Sequence, residues 1–280
     1  MEKDLVSIIT PAYGAETCLA DAVRSVLSQS YSRWEMLIIA DDGVDYQDLL
    51  QRVGIFDSRL SFYSSDVIQS GPNATRNVGL QRARGEWIAP LDADDVYYPE
   101  RIERLLHAAQ ATGLALDNVQ VVGERVDDSL ALEVGTKPFL SFEDVKSSLV
   151  PLLFLFHHRH IPQGWDTDII RGADTLFNLR GLERAGRAGY VSEPLHEYRV
   201  HDQSMCHAPE SEDLFVEAYR HTLARLRKDG LGFTNIDFRH NVIEMIEEKQ
   251  QINHDFAIAV AEGYEGNYQS FVQTNYRRAD

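Results

Sequence analysis

Apolar residues recur with two different periods along the first hundred positions. Leu5–Thr10 is an apolar, β-branched run of buried-strand length and predicts a strand. Leu19, Ala22, Val23, Val26 and Leu27 then fall at i, i+3, i+4, i+7 and i+8, one apolar face of a helix. Trp34–Ala40 predicts a second buried strand, which stops at Asp41-Asp42-Gly43. A weak helix near Asp45–Val53 and a short strand near Leu60–Tyr63 come next. Asn73–Arg84 reads as a helix closed by Gly85. Glu86–Leu91 is a further strand and also stops at acids, Asp92-Ala93-Asp94-Asp95. Pro99 takes the first position of a helix running to about Thr112.

Strands alternating with helices predict a mostly parallel sheet. Ligands of such sheets bind beyond the carboxyl ends of the strands. Three strands end in Thr10-Pro11-Ala12-Tyr13, Asp41-Asp42 and Asp92-Ala93-Asp94, so polar and acidic residues gather on that edge. Interior acids are costly unless paired or bound to a metal, which makes this edge the expected site.

The second half is less regular. Asn118–Val126 predicts a strand, Gly172–Gly186 contains a helix, and Tyr190–Val191 and His196–Val200 are short extended pieces. From Glu212 the pattern is helical, with Leu214, Phe215, Ala218, Tyr219 and Leu226 on one face. That stripe reads as core packing, or else as a face for a second copy or an acceptor. Another helix spans Ile236 to about Ala261, ahead of a ragged tail.

The 280 residues are 44% apolar and 25% charged, the balance of a globular protein with a sizeable core. Lys and Arg number 27 against 44 Asp and Glu, a net charge of −17, which argues against a nucleic-acid partner. An acidic protein that handles phosphates needs a cation, and Mg²⁺ or Mn²⁺ suits carboxylate and phosphate oxygens. Cys18 and Cys206 are the two cysteines and lack metal-ligand spacing, which fits a reducing compartment. The first residues, MEKDLVSIIT, lack a signal-peptide pattern, and the apolar run Leu149–Phe156 is too short to span a bilayer. The expectation is a cytoplasmic protein, with peripheral contact at the inner membrane face left open. His157-His158-Arg159-His160 has no partner to complete a zinc set and reads as a polar loop near an acceptor groove.

Asp92-Ala93-Asp94 alone could be a solvated turn. It stands, however, after Gly71-Pro72-Asn73-Ala74-Thr75-Arg76-Asn77-Val78-Gly79-Leu80 and Ala83-Arg84-Gly85-Glu86-Trp87-Ile88. With Ser7–Tyr13 and Ala40-Asp41-Asp42-Gly43, this order resembles the family 2 glycosyltransferases of GT-A fold over roughly residues 4–112. Gly164–Gly186 and Tyr198-Arg199-Val200-His201 are similar to that family's later segments. The resemblance implies an α/β fold, a Rossmann-like, mostly parallel sheet flanked by helices, with a helical C-terminal extension. The expected division is a catalytic domain over 1–205, made of a nucleotide-sugar half (1–112) and an acceptor-side half (113–205), then helices over 206–280.

The resemblance also implies roles. Thr10, Pro11, Ala12 and Tyr13 would line the nucleotide pocket, with Tyr13 against the base and Glu16 near the ribose. Asp42 would accept from the base, Arg76 would bound the pocket, and Asp92 and Ala93 would reach the ribose or donor sugar. Asp94, with His201, would hold Mn²⁺ or Mg²⁺. Asp174 would be the base that takes the acceptor's proton, with Asp166 and Asp168 as substitutes. In Gly172-Ala173-Asp174 the sequence departs from the family, which has glutamate where Ala173 stands. The implied reaction is inverting transfer from a UDP-sugar or other nucleotide diphosphate sugar to a carbohydrate or lipid-linked acceptor. A nucleotidyltransferase, a non-catalytic nucleotide-sugar-binding module and a processive synthase are the rivals, and the C-terminal helices offer a face for oligomerisation.

Overall fold

The computed structural model describes residues 1–123, 126–130, 132, 134–146, 148, 152–161, 163–200, 211–266 and 268–276, with 126–130, 211–215, 269, 270 and 273 as backbone alone. The chain forms two compact units, Met1–Asp168 with Ala173–His201, and Ile169–Gly172 with Asp202–Asp280.

The first unit runs β1 (Glu2–Ala12), α1 (Leu19–Leu27), β2 (Trp34–Ala40), α2 (Tyr46–Arg52), β3 (Leu60–Ser64), α3 (Pro72–Arg82), β4 (Gly85–Pro90), β5 (Val96–Tyr97) and α4 (Arg101–Ala109). It continues with β6 (Leu114–Gly123), β7 (Val126–Leu130), β8 (Phe139–Leu140), α5 (Phe142–Val145), β9 (Leu155–His157), α6 (Ala173–Ala185) and β10 (Ala188–Val200). The sheet order is β3-β2-β1-β4-β9-β6-β10-β5, with β7 beside β6 and β8 beside β10. β3, β2, β1 and β4 pair in parallel, as do β6 and β10. The short β9 runs antiparallel to both β4 and β6 and joins the two parallel blocks. This is the mixed α/β, mostly parallel architecture expected.

The core follows the two periods. Every residue of β2 is buried, as a strand covered on both faces requires. Leu19, Ala22, Val23 and Val26 form the buried stripe of α1 against the same cluster.

Four local expectations change. Gly85 opens β4 rather than closing α3, whose last turn is followed by extended Ala83. Pro99 precedes α4, which begins at Arg101 after Glu100. The end of the apolar run Leu149–Phe156 becomes part of β9. Tyr190–Val191 and His196–Val200 belong to one strand, β10, whose register shifts around Pro194. Proline has no N–H for the ladder, so it interrupted the strand pattern without ending the strand.

The second unit holds α7 (Ser211–Lys228), α8 (Ile236–Ala261) and α9 (Tyr268–Asn275), the last where a ragged tail was expected. Leu223 and Leu226 of α7, Val242, Met245, Ile246 and Ile252 of α8, and Phe271 and Val272 of α9 are buried. The side chains of Leu214 and Phe215 lie outside the described residues. Among the described residues no helix is long and apolar enough to cross a membrane.

Candidate active site

The carboxyl ends of β1 and β2 hold the first cluster. Asp41 turns inward: its carboxylate accepts from the N–H of Ser70 (3.0 Å), the Ser70 hydroxyl (2.7 Å) and the N–H of Gly71 (2.9 Å). It therefore fixes the loop that enters α3 and places a negative charge at that helix's N-terminus. Asp42 remains half-buried on the open side. Its Oδ2 accepts from the Gly14 N–H and the Tyr46 hydroxyl, both at 2.7 Å, and its Oδ1 from the Val44 N–H at 3.0 Å. Burial alone would raise this carboxyl, but the Tyr46, Val44 and Gly14 donors outweigh it and hold the group below its ordinary value.

Tyr13 is 59% exposed, a ring open to a base, and its hydroxyl accepts from the Gln69 amide at 2.9 Å. Glu16 is exposed, and Pro11 is half-buried. Thr10 and Ala12 are fully buried. Ala12 meets β2 through its carbonyl, which accepts from the Asp41 N–H at 2.8 Å.

Helix α3 supplies the centre of the site. It lies close on the sheet because Gly79 has no side chain: a Cβ there would come within 2.5 Å of Ile9 and 2.8 Å of Ile39. One turn earlier, Arg76 is 4% exposed. Its guanidinium reaches Asp92 Oδ1 at 2.6 Å and Asp174 Oδ1 at 3.2 Å. Burial opposes its charge, but Asp174 and Asp92 outweigh that and keep it firmly protonated. The resemblance put Arg76 at the nucleotide pocket; in the structure it bonds both Asp92 and Asp174.

Asp174 sits in the first turn of α6, directly after buried Ala173. Its Oδ1 also accepts from the Trp165 indole N–H at 2.9 Å. The indole stacks on Phe177 with ring centres 3.7 Å apart. Burial pushes the Asp174 carboxyl up, Arg76 pulls it down, Asp92 pushes it up and Trp165 pulls it down; the net direction is upward. The Asp174 side chain keeps 28% of its surface exposed, so a substrate hydroxyl can reach it.

Trp165, which the sequence reading passed over, is itself held from α3. The Asn77 side chain donates to its carbonyl and accepts from its N–H, both at 2.8 Å. A Cβ on Gly164 would collide with that amide, which explains the glycine. Asp166 is engaged by the buried Arg180, and its carbonyl accepts from Asn73 at 3.1 Å, so it braces this segment.

The acidic turn after β4 divides its three carboxylates. Asp95 is 1% exposed and faces β10, accepting from the Arg199 N–H at 2.9 Å and pairing with His196 Nε2 at 3.0 Å. Burial, then Asp94 and Asp92, raise the Asp95 carboxyl well above its ordinary value. Asp92 and Asp94 stay half-exposed, and Ala93 is buried between them. Among the described residues no group of three His, Cys, Asp or Glu forms a ready metal cage. The donor set does fit a hard divalent cation shared with a diphosphate, which needs one or two carboxylates and takes its other ligands from phosphate and water. His201 lies outside the described residues. The histidine run lies away from this edge: His157 pairs with Glu86 (3.0 Å) at the start of β4, and His160 with the Thr112 carbonyl (2.9 Å).

Residues 7–145 match the Glycosyl transferase family 2 model. A Bacillus subtilis (strain 168) protein named as a teichuronic acid biosynthesis glycosyltransferase, TuaG, is 30% identical over 215 residues, 72% of this chain and 82% of TuaG. The chain is a family 2 glycosyltransferase. This glycosyltransferase spans under half the length of several other curated relatives that it matches. Among solved structures it resembles Staphylococcus aureus TarS 1–349 in complex with UDP-GlcNAc, with a TM-score of 0.69, 19% identity, and coverage of 89% of this chain and 72% of that one. It also resembles the mannosyltransferase PcManGT of Pyrobaculum calidifontis in complex with GDP-Man and Mn²⁺, with a TM-score of 0.53, 15% identity, and coverage of 97% and 79%. At these identities the two structures establish the shared GT-A fold alone.

Proposed function

We propose that this glycosyltransferase moves a sugar from a UDP-sugar to a glycan acceptor hydroxyl in one inverting displacement, with Asp174 as the base. The observation that carries the reading is the Arg76 bridge, which sets Asp174 beside Asp92 at the edge where Asp42 and Tyr13 stand ready for a nucleotide. TuaG's role in making a glycan supports the acceptor class.

Counting acceptors supports uridine. Asp42 already takes hydrogen bonds from Gly14, Tyr46 and Val44, two on Oδ2 and one on Oδ1, so the acceptor capacity left for a base is small and lies on Oδ1. Uracil presents a single N3–H and needs one acceptor. Guanine presents adjacent N1–H and N2–H donors and asks for two.

In the transfer, the acceptor oxygen attacks the anomeric carbon on the face opposite the diphosphate. Its proton passes to Asp174 as the new C–O bond forms. The bond from the anomeric carbon to the β-phosphate oxygen breaks, and its electron pair leaves with UDP. One base opposite the leaving group gives inversion. Trp165 and Arg76 occupy Asp174 Oδ1, so Oδ2 is the oxygen offered to the acceptor. The raised carboxyl suits a group that must accept a proton. Asp94 would hold Mn²⁺ or Mg²⁺ together with the diphosphate, with Asp92 reaching the ribose or donor sugar, and the cation, when bound, neutralises charge on the leaving group.

The test is UDP release from UDP-sugars with Mn²⁺, with and without glycan acceptors. Acceptor-dependent release supports the reading. Nucleotide-sugar binding without release points to a binding module, and pyrophosphate release from a sugar phosphate and UTP points to a nucleotidyltransferase.

A further inference from the structure

Tyr46 begins α2, and Asp45 caps that helix by accepting from the Asp48 N–H at 3.0 Å. Its ring is 2% exposed and belongs to the core cluster shared with α1 and β2. A tyrosine buried this deeply needs partners for its hydroxyl, and it has two. The hydroxyl accepts from the Ala15 N–H at 2.9 Å and donates to Asp42 Oδ2 at 2.7 Å. Gly14, the neighbour of Ala15, donates to that same Oδ2, and Tyr13 precedes it in the chain. One hydroxyl therefore ties the turn that carries the exposed ring to the carboxylate at the end of β2.

We infer that Tyr46 is a positioning residue of the nucleotide pocket, acting through Asp42 without touching the ligand. The inference rests on the reading that Asp42 receives the base. Burial, then Asp42, raise the phenol's proton affinity, so the hydroxyl stays protonated and remains a donor. With phenylalanine at this position the Ala15 N–H loses its acceptor in a buried setting, and Asp42 keeps the Gly14 and Val44 donors. Its carboxylate is then held less firmly, and the Oδ1 acceptor that would meet the base loses part of its fixed direction.

The experiment is a double-mutant cycle read by calorimetry with UDP and Mn²⁺. Tyr46→Phe is expected to weaken UDP about 10-fold, the size of one hydrogen bond to a charged group. Donor KM should rise far more than kcat falls. In an Asp42→Ala background the same change should cost less than about twofold, because the group through which it acts is gone. A folded Tyr46→Phe with unchanged UDP affinity, or the same loss with and without Asp42, overturns the inference. Thermal melting establishes that the variants fold. Should Tyr46→Phe not fold, 3-fluorotyrosine at position 46 keeps the ring and alters the hydroxyl's strength, and unchanged UDP affinity there overturns the inference equally. Wild-type affinity for UDP in Asp42→Ala would instead sink the base-pocket reading itself.

Discussion

Asp42 and Asp174 are both half-exposed carboxylates of one site, yet their proton affinities move in opposite directions. Asp42 is surrounded by donors that belong to the fold, two backbone N–H groups and a buried phenol. These outweigh its desolvation. Asp174 shares one guanidinium with Asp92 and has one indole donor, and burial prevails. A carboxylate meant to hold a ligand is best kept ionised by many donors, and one meant to receive a proton is best left short of them. Depth and the number of fold-supplied donors together separate the two groups: burial leads at Asp174, and donors outweigh it at Asp42.

The sharpest way to break this contrast is Asp174→Asn. It keeps the shape but cannot take a proton, so transfer at saturating donor and Mn²⁺ should fall on the order of 10²–10⁴-fold. Near-normal turnover would assign the base elsewhere, with Asp168→Asn as the control. Because Arg76 touches both Asp92 and Asp174, some loss of donor affinity should accompany the change. Asp42→Ala should raise donor KM roughly 10- to 100-fold, the size of a hydrogen bond to a charged group, while kcat at saturation changes little. A collapsed kcat with normal KM would reverse the two roles.

Arg76→Met removes the only described cation bonded to both Asp92 and Asp174. Removing one partner from a fully buried pair costs about 3–5 kcal/mol. Asp92 and Asp174 keep 30% and 28% of their side chains exposed, so a loss of about 2–3 kcal/mol is expected here. Urea unfolding measures it, and an unchanged midpoint would mean that this end of the site is not held by one cation. Trp165→Phe should act most gently. Asp174 works ionised, so the rate falls as pH drops through its pKa, and the indole donor favours the ionised form. Losing that donor raises the pKa and moves the acid limb of kcat to higher pH, by less than about one unit. A shift to lower pH would contradict the assignment.

Much of the scaffold was legible because its elements obey one period from end to end. The bounds of β2 at Trp34–Ala40 and of α8 at Ile236–Ala261 coincide with the sequence pattern. The acidic turn after β4 was visible as a strand that stops at carboxylates. What stayed hidden depends on distance along the chain. Nothing local to Arg76 says that Asp174 will lie beside it, and nothing near Asp42 says that a phenol four residues on will turn back to it. Asp95 looked like a third member of an acidic run, and only its pairing with His196 and Arg199 on β10 shows that it faces inward. Trp165 was within reach: it precedes Asp166 in Gly164-Trp165-Asp166, a segment already noticed for its resemblance.

The Arg76 link has a consequence for how the chain becomes competent during synthesis. Arg76 and Asp174 stand about 100 residues apart. β1 to β4, with Asp42, Tyr13 and the acidic turn, are synthesised before Trp165 and Asp174, although all belong to one compact unit. On the reading proposed above, the residues of the nucleotide edge are synthesised first and the base last, and the Arg76 bridge between them closes only once both are present.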